Sequence, residues 1–263
     1  MSTRLRERFQ QGKADGRSLF VAYVTAGYPT RADTVPILLE MQAGGADVIE
    51  LGVPFTDPLA DGATIQHANQ VAIGQHVTLL DCFGFIREAR ARGLTVPVLF
   101  MGYYNPILAI GEARAAAEGA ASGIDGFIVV DLPPDEAGSF LVECRARDLS
   151  FVPLVAPTTS DARIPLLAKA ADAFLYIVSV TGTTGATSVA VDELPALLAR
   201  VRAQTDLPLG VGFGISRREH VVAVGKVAEA AIVGSAIISA IDAAGAESPA
   251  RRVREYVEHV TGR

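Results

Sequence analysis

The sequence predicts an α/β protein built as a (β/α)8 TIM barrel. Short apolar runs rich in β-forming residues recur along the chain, and each is followed by a segment with the apolar spacing of a helix. Strands that alternate with helices form βαβ units and a parallel sheet. Eight such units in 263 residues are typical of a closed barrel. We expect one barrel domain over residues 1–263, because no linker or low-complexity tract divides the chain.

Eight predicted strands and the helices between them follow in order. The strands lie near 19–25, 47–52, 96–101, 125–130, 151–155, 173–178, 207–212 and 229–233. Helical patterns occupy 32–43, 77–92, 111–121, 134–147, 161–170, 190–204 and 216–225, and a surface helix is expected at 248–261. Leu5 and Phe9 lie one helical turn apart, so a leading helix is expected to close the barrel bottom.

A doubly wound open sheet is the alternative fold. Its dinucleotide fingerprint would be G-x-G-x-x-G after the first strand. Here the first strand runs into residues 25–29, which read TAGYP and do not match.

The composition excludes several classes of protein. A net charge of −6 and a pI near 5.3 argue against nucleic-acid binding, which needs a basic patch. The N-terminus has no apolar signal core, and no apolar run reaches the ~18 residues of a membrane span. We therefore expect a cytoplasmic protein that does not bind membranes. Cys82 and Cys144 lack the spacing of metal ligands and are interpreted as reduced packing residues.

Carboxylates near the end of the second strand are the strongest signal of chemistry. Glu50 lies in an apolar run, where burial disfavours its ionised form and suits an acid/base group that works near pH 7. Asp57 and Asp61 follow on a Pro-punctuated loop, at the strand ends where barrel enzymes place their sites. The alternatives are that Glu50 faces outward to an Arg, that Asp61 is a helix N-cap, and that Asp57 is a turn residue or partner contact.

Two glycine turns in the second half indicate a phosphate site. Residues 212–216 (GFGIS) follow the seventh strand, and residues 232–236 (IVGSA) follow the eighth and open a short helix. Barrels bind phosphate at these two places through backbone N–H groups. The polar loop 181–188 after the sixth strand is interpreted as a lid. The alternatives are glycines that ease tight turns and an ordinary surface loop.

Two kinds of catalysis are disfavoured. The four histidines are scattered, and none lies at a strand end near a carboxylate, so no metal site is expected. No Lys lies on a predicted strand, which argues against Schiff-base chemistry.

Five motifs carry a resemblance to a known family. They lie at 50–62 (ELGVPFTDPLADG), 101–106 (MGYYNP), 131–133 (DLP), 212–215 (GFGI) and 234–236 (GSA). With them the chain resembles the α subunit of tryptophan synthase over nearly its whole length. The resemblance implies retro-aldol cleavage of indole-3-glycerol phosphate to indole and glyceraldehyde 3-phosphate. It also implies no cofactor in this chain, and transfer of indole to a pyridoxal-phosphate-bearing β subunit in an α2β2 heterotetramer.

The resemblance also implies roles for individual residues. The catalytic residues would be Glu50 and Asp61. The substrate-binding residues would be Tyr23, Tyr176, Thr184, Gly185, Gly214, Gly234 and Ser235. Some family members carry Phe in place of Tyr23 and Arg in place of Val180.

Loops at the barrel mouth carry an unusual density of apolar and aromatic residues, which is typical of an interaction site. The partner interface is therefore expected to include Pro54, Asp57, Tyr104 and Asn105.

Two other functions stay open at this point. One is a different phosphate-binding barrel, such as a sugar-phosphate epimerase or isomerase. The other is a barrel that has lost catalysis and serves only as an activating subunit, against which Glu50 and Asp61 argue.

Overall fold

A computed structural model describes residues 2–178, 194–212 and 214–263. The strands are β1 Leu19–Thr25, β2 Val48–Gly52, β3 Val98–Gly102, β4 Gly126–Val129, β5 Ser150–Phe151, β6 Leu154–Val155, β7 Leu175–Val178, β8 Leu209–Gly212 and β9 Ala230–Val233. The helices are α1 Thr3–Ala14, α2 Thr34–Ala43, α3 Ala63–Gly74, α4 Leu79–Ala91, α5 Tyr104–Ile110, α6 Glu112–Ser122, α7 Gly138–Arg145, α8 Ile164–Ala170, α9 Leu194–Arg202, α10 Arg218–Gly225, α11 Ser235–Asp242 and α12 Pro249–Thr261.

The strands form one parallel sheet that closes into a barrel. Their order is β5-β4-β3-β2-β1-β9-β8-β7-β6. The two terminal strands of this order are consecutive in the chain, and the residues between them continue both ladders. The Val152 N–H donates to the Phe127 carbonyl at 3.0 Å, and the Tyr176 N–H donates to the Pro153 carbonyl at 3.1 Å. The predicted (β/α)8 barrel is therefore confirmed.

The fifth predicted strand is the one that differs in form. The sequence predicts a single strand near 151–155, and the structure divides it into β5 and β6. Pro153 lies between them and has no N–H to donate to a ladder, so the regular pairing stops there.

The barrel wall is buried on both faces, as expected for a parallel sheet covered by helices. Every residue of β1 and β2 is buried. On the outer face, aromatic rings of the sheet and the helices pack against one another in series, the first pair stacked and the next two edge-to-face. Phe83 of α4, Phe100 of β3, Phe127 of β4 and Phe140 of α7 have successive centroid separations of 5.2, 6.1 and 5.1 Å. Burying each such ring stabilises the fold by about 1.5–3 kcal/mol.

The leading helix closes the bottom of the barrel, as predicted. Leu5 of α1 is fully buried, and the Phe9 ring packs 5.2 Å from that of Phe174, the residue that precedes β7. The Ser2 hydroxyl, just before α1, donates to buried Asp125 at 2.6 Å.

Carboxylates at the bottom of the barrel join neighbouring strands. Asp47 precedes β2 and accepts the Phe20 N–H of β1 at 2.8 Å. Arg8, Arg17 and Arg263 surround the same carboxylate, and so fasten both termini of the chain to it. Burial alone would raise the pKa of Asp47, but hydrogen bonds from Arg17, the Phe20 N–H and Arg263 lower it.

The same arrangement recurs twice around the barrel. Asp125 precedes β4 and accepts the Val98 N–H at 2.8 Å, and Glu229 precedes β9 and accepts the Leu209 N–H at 2.8 Å. Residues at the N-terminal face of a barrel usually serve stability.

Two helices were not predicted from the sequence. The buried face of α3 consists of Ile65, Ala68, Asn69 and Ala72, which gives a weak apolar period. Helix α5 has only seven residues and contains Pro106 in its first turn, where proline is tolerated. In the described parts of the chain, no helix is long and apolar enough to cross a membrane.

Candidate active site

Glu50 points into the barrel. In the sheet register it lies opposite Leu99 of β3 and Tyr23 of β1. Phe100, the residue after Leu99, packs outward on Phe83, so Leu99 and its partner Glu50 face the interior.

The Glu50 carboxyl is fully buried, and neither oxygen has a hydrogen-bond partner among the described residues. Burial raises the pKa of Glu50 to about 8. The alternative in which Glu50 faces outward to an Arg is therefore wrong.

Asp61 lies on the loop between β2 and α3, and it is not a helix cap. The N-cap of α3 is Gly62, and no side chain caps the helix. The Asp61 carboxyl instead accepts a hydrogen bond from the Asn69 amide of α3 at 3.2 Å. Burial raises the pKa of Asp61 to about 6, although Asn69 and the Tyr103 hydroxyl both act to lower it.

Two tyrosine side chains of the site each pass close over a glycine of the neighbouring strand. A Cβ atom added to Gly52 would stand 2.2 Å from the Tyr23 hydroxyl oxygen, and one added to Gly212 would stand 2.2 Å from that of Tyr176. Only glycine permits these close approaches.

Burial raises the pKa of both phenols, and the negative charges of Glu50 and Asp61 raise it further. The structure therefore brings Tyr23, Tyr176, Glu50 and Asp61 into one electrostatically coupled site.

The described glycines of the predicted phosphate site lie at the same end of the barrel. Strands β8 and β9 are paired, so Gly214 and Gly234 follow neighbouring strands. Gly214 has a φ of +75°, which favours glycine, and Ser235 begins α11. A Cβ at Gly234 would stand 3.4 Å from the Tyr23 ring. Thr184 and Gly185 lie outside the described residues.

The predicted partner contacts differ in exposure. Asp57 and Asn105 are exposed, Tyr104 is half-buried, and Pro54 is buried. Next to them, Leu59 exposes 82% of its surface.

Asp131 acquires a structural role at this face. Its carboxylate accepts the Tyr104 N–H at 2.7 Å and so supports the start of α5.

Sequence reasoning missed the role of Asn69. It lies on a helix that was not predicted, so no motif linked it to Asp61. In the ranges 2–178, 194–212 and 214–263, no group of three or more His, Cys, Asp or Glu residues could hold a metal. Both cysteines are free and buried, in agreement with packing residues.

Comparison with known proteins identifies the family. The family model described as "Tryptophan synthase alpha chain" matches residues 9–262. The chain belongs to the tryptophan synthase alpha chain family. The motifs of the sequence indicated this family, whose members are lyases that cleave indole-3-glycerol phosphate.

Individual relatives agree with this placement. The tryptophan synthase alpha chain of Chloroflexus aurantiacus is 43% identical, over 98% of this chain and 97% of its own. Tryptophan synthase of Saccharomyces cerevisiae is 48% identical over 99% of this chain, which spans only 37% of that protein.

Solved structures of the family share the fold. The alpha subunit from Legionella pneumophila matches with a TM-score of 0.93 at 33% identity, over 100% of this chain and 98% of its own. A chain of tryptophan synthase from Mycobacterium tuberculosis matches with a TM-score of 0.91 at 32% identity and the same coverage.

Proposed function

We propose that this chain cleaves indole-3-glycerol phosphate to indole and glyceraldehyde 3-phosphate, with Glu50 as acid/base and Asp61 as the group that binds the indole N–H. The observation that carries the proposal is a fully buried Glu50 without a partner among the described residues. Its pKa near 8 leaves it mostly protonated at neutral pH, beside an Asp61 that is mostly ionised.

The two protonation states fit the two halves of the reaction. Protonated Glu50 delivers its proton to C3 of the indole ring, and Asp61 accepts the N–H and stabilises the positive charge that grows there. The Glu50 carboxylate then removes the proton of the adjacent side-chain hydroxyl. The bond between C3 and the side-chain carbon breaks, its electron pair returns to the indole ring, and the hydroxyl carbon becomes the aldehyde. Glu50 ends protonated, ready for another turnover.

The remaining predicted residues bind the substrate in this proposal. Tyr23 and Tyr176 flank the ring and the reacting bond. Backbone N–H groups at Gly185, Gly214, Gly234 and Ser235 hold the phosphate, as the N-terminus of a helix and glycine turns do. Thr184, which lies outside the described residues, is also assigned to substrate binding in this proposal.

We also propose that a β subunit with pyridoxal phosphate receives the indole in an α2β2 assembly, and that this single-domain chain needs no cofactor and is cytoplasmic. Similar solved structures include tryptophan synthase from M. tuberculosis, which supports such a partner. On this chain, Leu59 and Leu108 expose 82% and 56% of their surfaces on the loop and helix that carry Asp57 and Asn105. Apolar exposure of this kind favours a docking surface.

The test is indole release from indole-3-glycerol phosphate by the purified chain, with and without a β subunit. We expect slow release alone and at least several-fold faster release with the partner. Glu50→Gln and Asp61→Asn should each lower the rate by about 10²–10⁴. Glu88→Gln is the matched control, since this exposed glutamate lies on the surface of α4 and pairs with Arg92, just after the helix.

Several outcomes would contradict the proposal. A folded Glu50→Gln chain that cleaves at the wild-type rate would remove Glu50 from its role. A metal-containing chain that turns over a sugar phosphate and leaves the indole substrate intact would indicate an epimerase or isomerase. Activation of a β subunit without any indole release would indicate a non-catalytic subunit.

A further inference from the structure

Tyr103 holds the loop that carries Asp61. It lies between β3 and α5, and its ring stacks on Phe55 with centroids 5.0 Å apart and an interplanar angle of 27°. Its hydroxyl oxygen accepts the Ala60 N–H at 2.9 Å. One nearly buried side chain therefore contacts both ends of the stretch 55–60, immediately before Asp61.

The same hydroxyl has a proton to donate, and Asp61 is the residue that directly follows Ala60 in the chain. Because the oxygen already accepts from Ala60, the phenol proton is free to point elsewhere. Each group shifts the pKa of the other: Tyr103 lowers that of Asp61, and Asp61 raises that of Tyr103, where burial acts in the same direction. A phenol that donates to a carboxylate favours the ionised carboxylate.

Asn69 contacts the same carboxyl but can serve either protonation state. Its amide nitrogen donates to Asp61 at 3.2 Å, and its buried amide oxygen has no partner in the described part of the chain. If Asp61 took up a proton, the amide could turn and accept it. The Tyr103 oxygen already accepts from the Ala60 N–H, so the phenol proton is the part of this hydroxyl that gives the ionised form of Asp61 an advantage.

Other titratable groups around Asp61 and Tyr103 make this advantage important. Glu50 of β2, Tyr23 of β1, Tyr176 of β7 and Asp131 after β4 face the pair. All of them are acids or phenols, so none brings a positive charge to offset the burial of Asp61. Hydrogen-bond donors are then the means of keeping Asp61 charged.

We propose that Tyr103 is a positioning residue that aims the Asp61 carboxyl into the site and keeps it ionised at neutral pH. The kinetic consequence rests on the proposed function, whereas the effect on Asp61 itself does not.

The experiment titrates Asp61 directly in the full chain. Carbon-13 labelling of the aspartate carboxyls gives the pKa of Asp61 by NMR, with its signal assigned from Asp61→Asn. Tyr103→Phe keeps the ring on Phe55 and removes the hydroxyl, so the pKa of Asp61 should rise by about one unit. Tyr28→Phe is the matched control, because its hydroxyl donates to a different carboxylate, Asp242.

Asn69→Ala provides the comparison between the two donors. It should also raise the pKa of Asp61, and by at least as much as Tyr103→Phe does, because the Asn69 hydrogen bond is the larger of the two influences that lower it. If Asp61 titrates as in the wild type in a folded Tyr103→Phe chain while Asn69→Ala shifts it, the proposal is wrong.

A second replacement removes any dependence on how Tyr103→Phe folds. Incorporating 3-fluorotyrosine at position 103 keeps the shape and makes the phenol a stronger donor. It should lower the pKa of Asp61, and a rise or no change would overturn the proposal.

Kinetics then separate this inference from the proposed function. The acid limb of kcat/KM should move by the same amount as the NMR titration. If the shift is seen and the wild-type chain releases no indole, the proposed function fails and the role of Tyr103 stands. If indole is released and Asp61 titrates unchanged in both variants, the proposed function stands and the role of Tyr103 is wrong.

Discussion

The two buried carboxyls predict a bell-shaped dependence of indole release on pH. In the proposed mechanism the reaction requires Asp61 ionised and Glu50 protonated at its start. Burial raises the pKa of Asp61 to about 6 and that of Glu50 to about 8. We therefore expect kcat/KM to rise through pH 6, to peak near pH 7 and to fall through pH 8.

The size of the effect follows from these values. At the midpoint each group is about nine-tenths in its required form, so roughly 0.8 of the chains are productive. Two pH units to either side of this midpoint only about one-tenth of the chains are productive, so the rate should fall roughly ninefold. Because the two carboxyls interact, the apparent pKa values read from the two limbs of the pH profile describe the coupled pair and not either residue alone.

The assay is the initial rate of indole release at low substrate concentration across this pH range, in the isolated chain and at constant ionic strength. In the residual activity, Asp61→Asn should lose the acid limb and Glu50→Gln the alkaline limb. A profile flat across both values, or limbs that survive both substitutions, would refute the assignment of the two protonation states.

Three further substitutions test how the fold supports the site. Because the folded state binds the Glu50 proton more tightly than the unfolded chain, stability is lost as pH rises from about 4.5 through about 8. Glu50→Gln should therefore unfold in urea with about 3 kcal/mol more stability at pH 7 and no gain near pH 4; an equal gain at both would contradict the burial argument. Asp47→Asn should cost about 3–5 kcal/mol in the same urea assay, because three arginines lose their shared carboxylate. Gly52→Ala should displace the Tyr23 ring and lower activity by about tenfold or more, whereas Gly84→Ala, with nothing within 4 Å, should retain activity and stabilise α4 by up to about 1 kcal/mol. Unchanged activity in Gly52→Ala would show that the tyrosine can move freely.

The sequence predicted the fold well because a parallel barrel repeats one simple pattern. The run at 19–25 is the strand β1 itself, and the other predicted strands overlap the observed ones to within about two residues at either end. The exception at 150–155 reflects Pro153, whose effect on pairing depends on which strands lie beside it. The short α5 and the small-residue face of α3 are held by tertiary contacts, and a periodicity argument does not detect these.

The candidate site could be predicted only where a residue type conflicts with its surroundings. Glu50 stood out because a carboxyl interrupts an apolar strand, and the structure confirms that it is buried. Asn69 and the supporting role of Tyr103 gave no such signal, since an amide on a helix and a tyrosine at a strand end are ordinary. Their importance arises from closeness to Asp61, which only the folded chain creates.

The two ends of the barrel treat buried carboxyls in opposite ways. At the bottom, Asp47 receives an N–H and three guanidinium groups, and its pKa is lowered. Near the top, Glu50 is just as buried and receives no donor from the described residues, so its pKa is raised. An acidic residue with every lone pair occupied cannot take up a proton near neutral pH, and one with none occupied costs stability to hold. The barrel therefore places the fully hydrogen-bonded Asp47 carboxylate at its bottom, away from the proposed chemistry. It leaves the Glu50 carboxyl without a partner among the described residues, at the place of the proposed proton transfer, and the stability that this burial costs can be measured with Glu50→Gln.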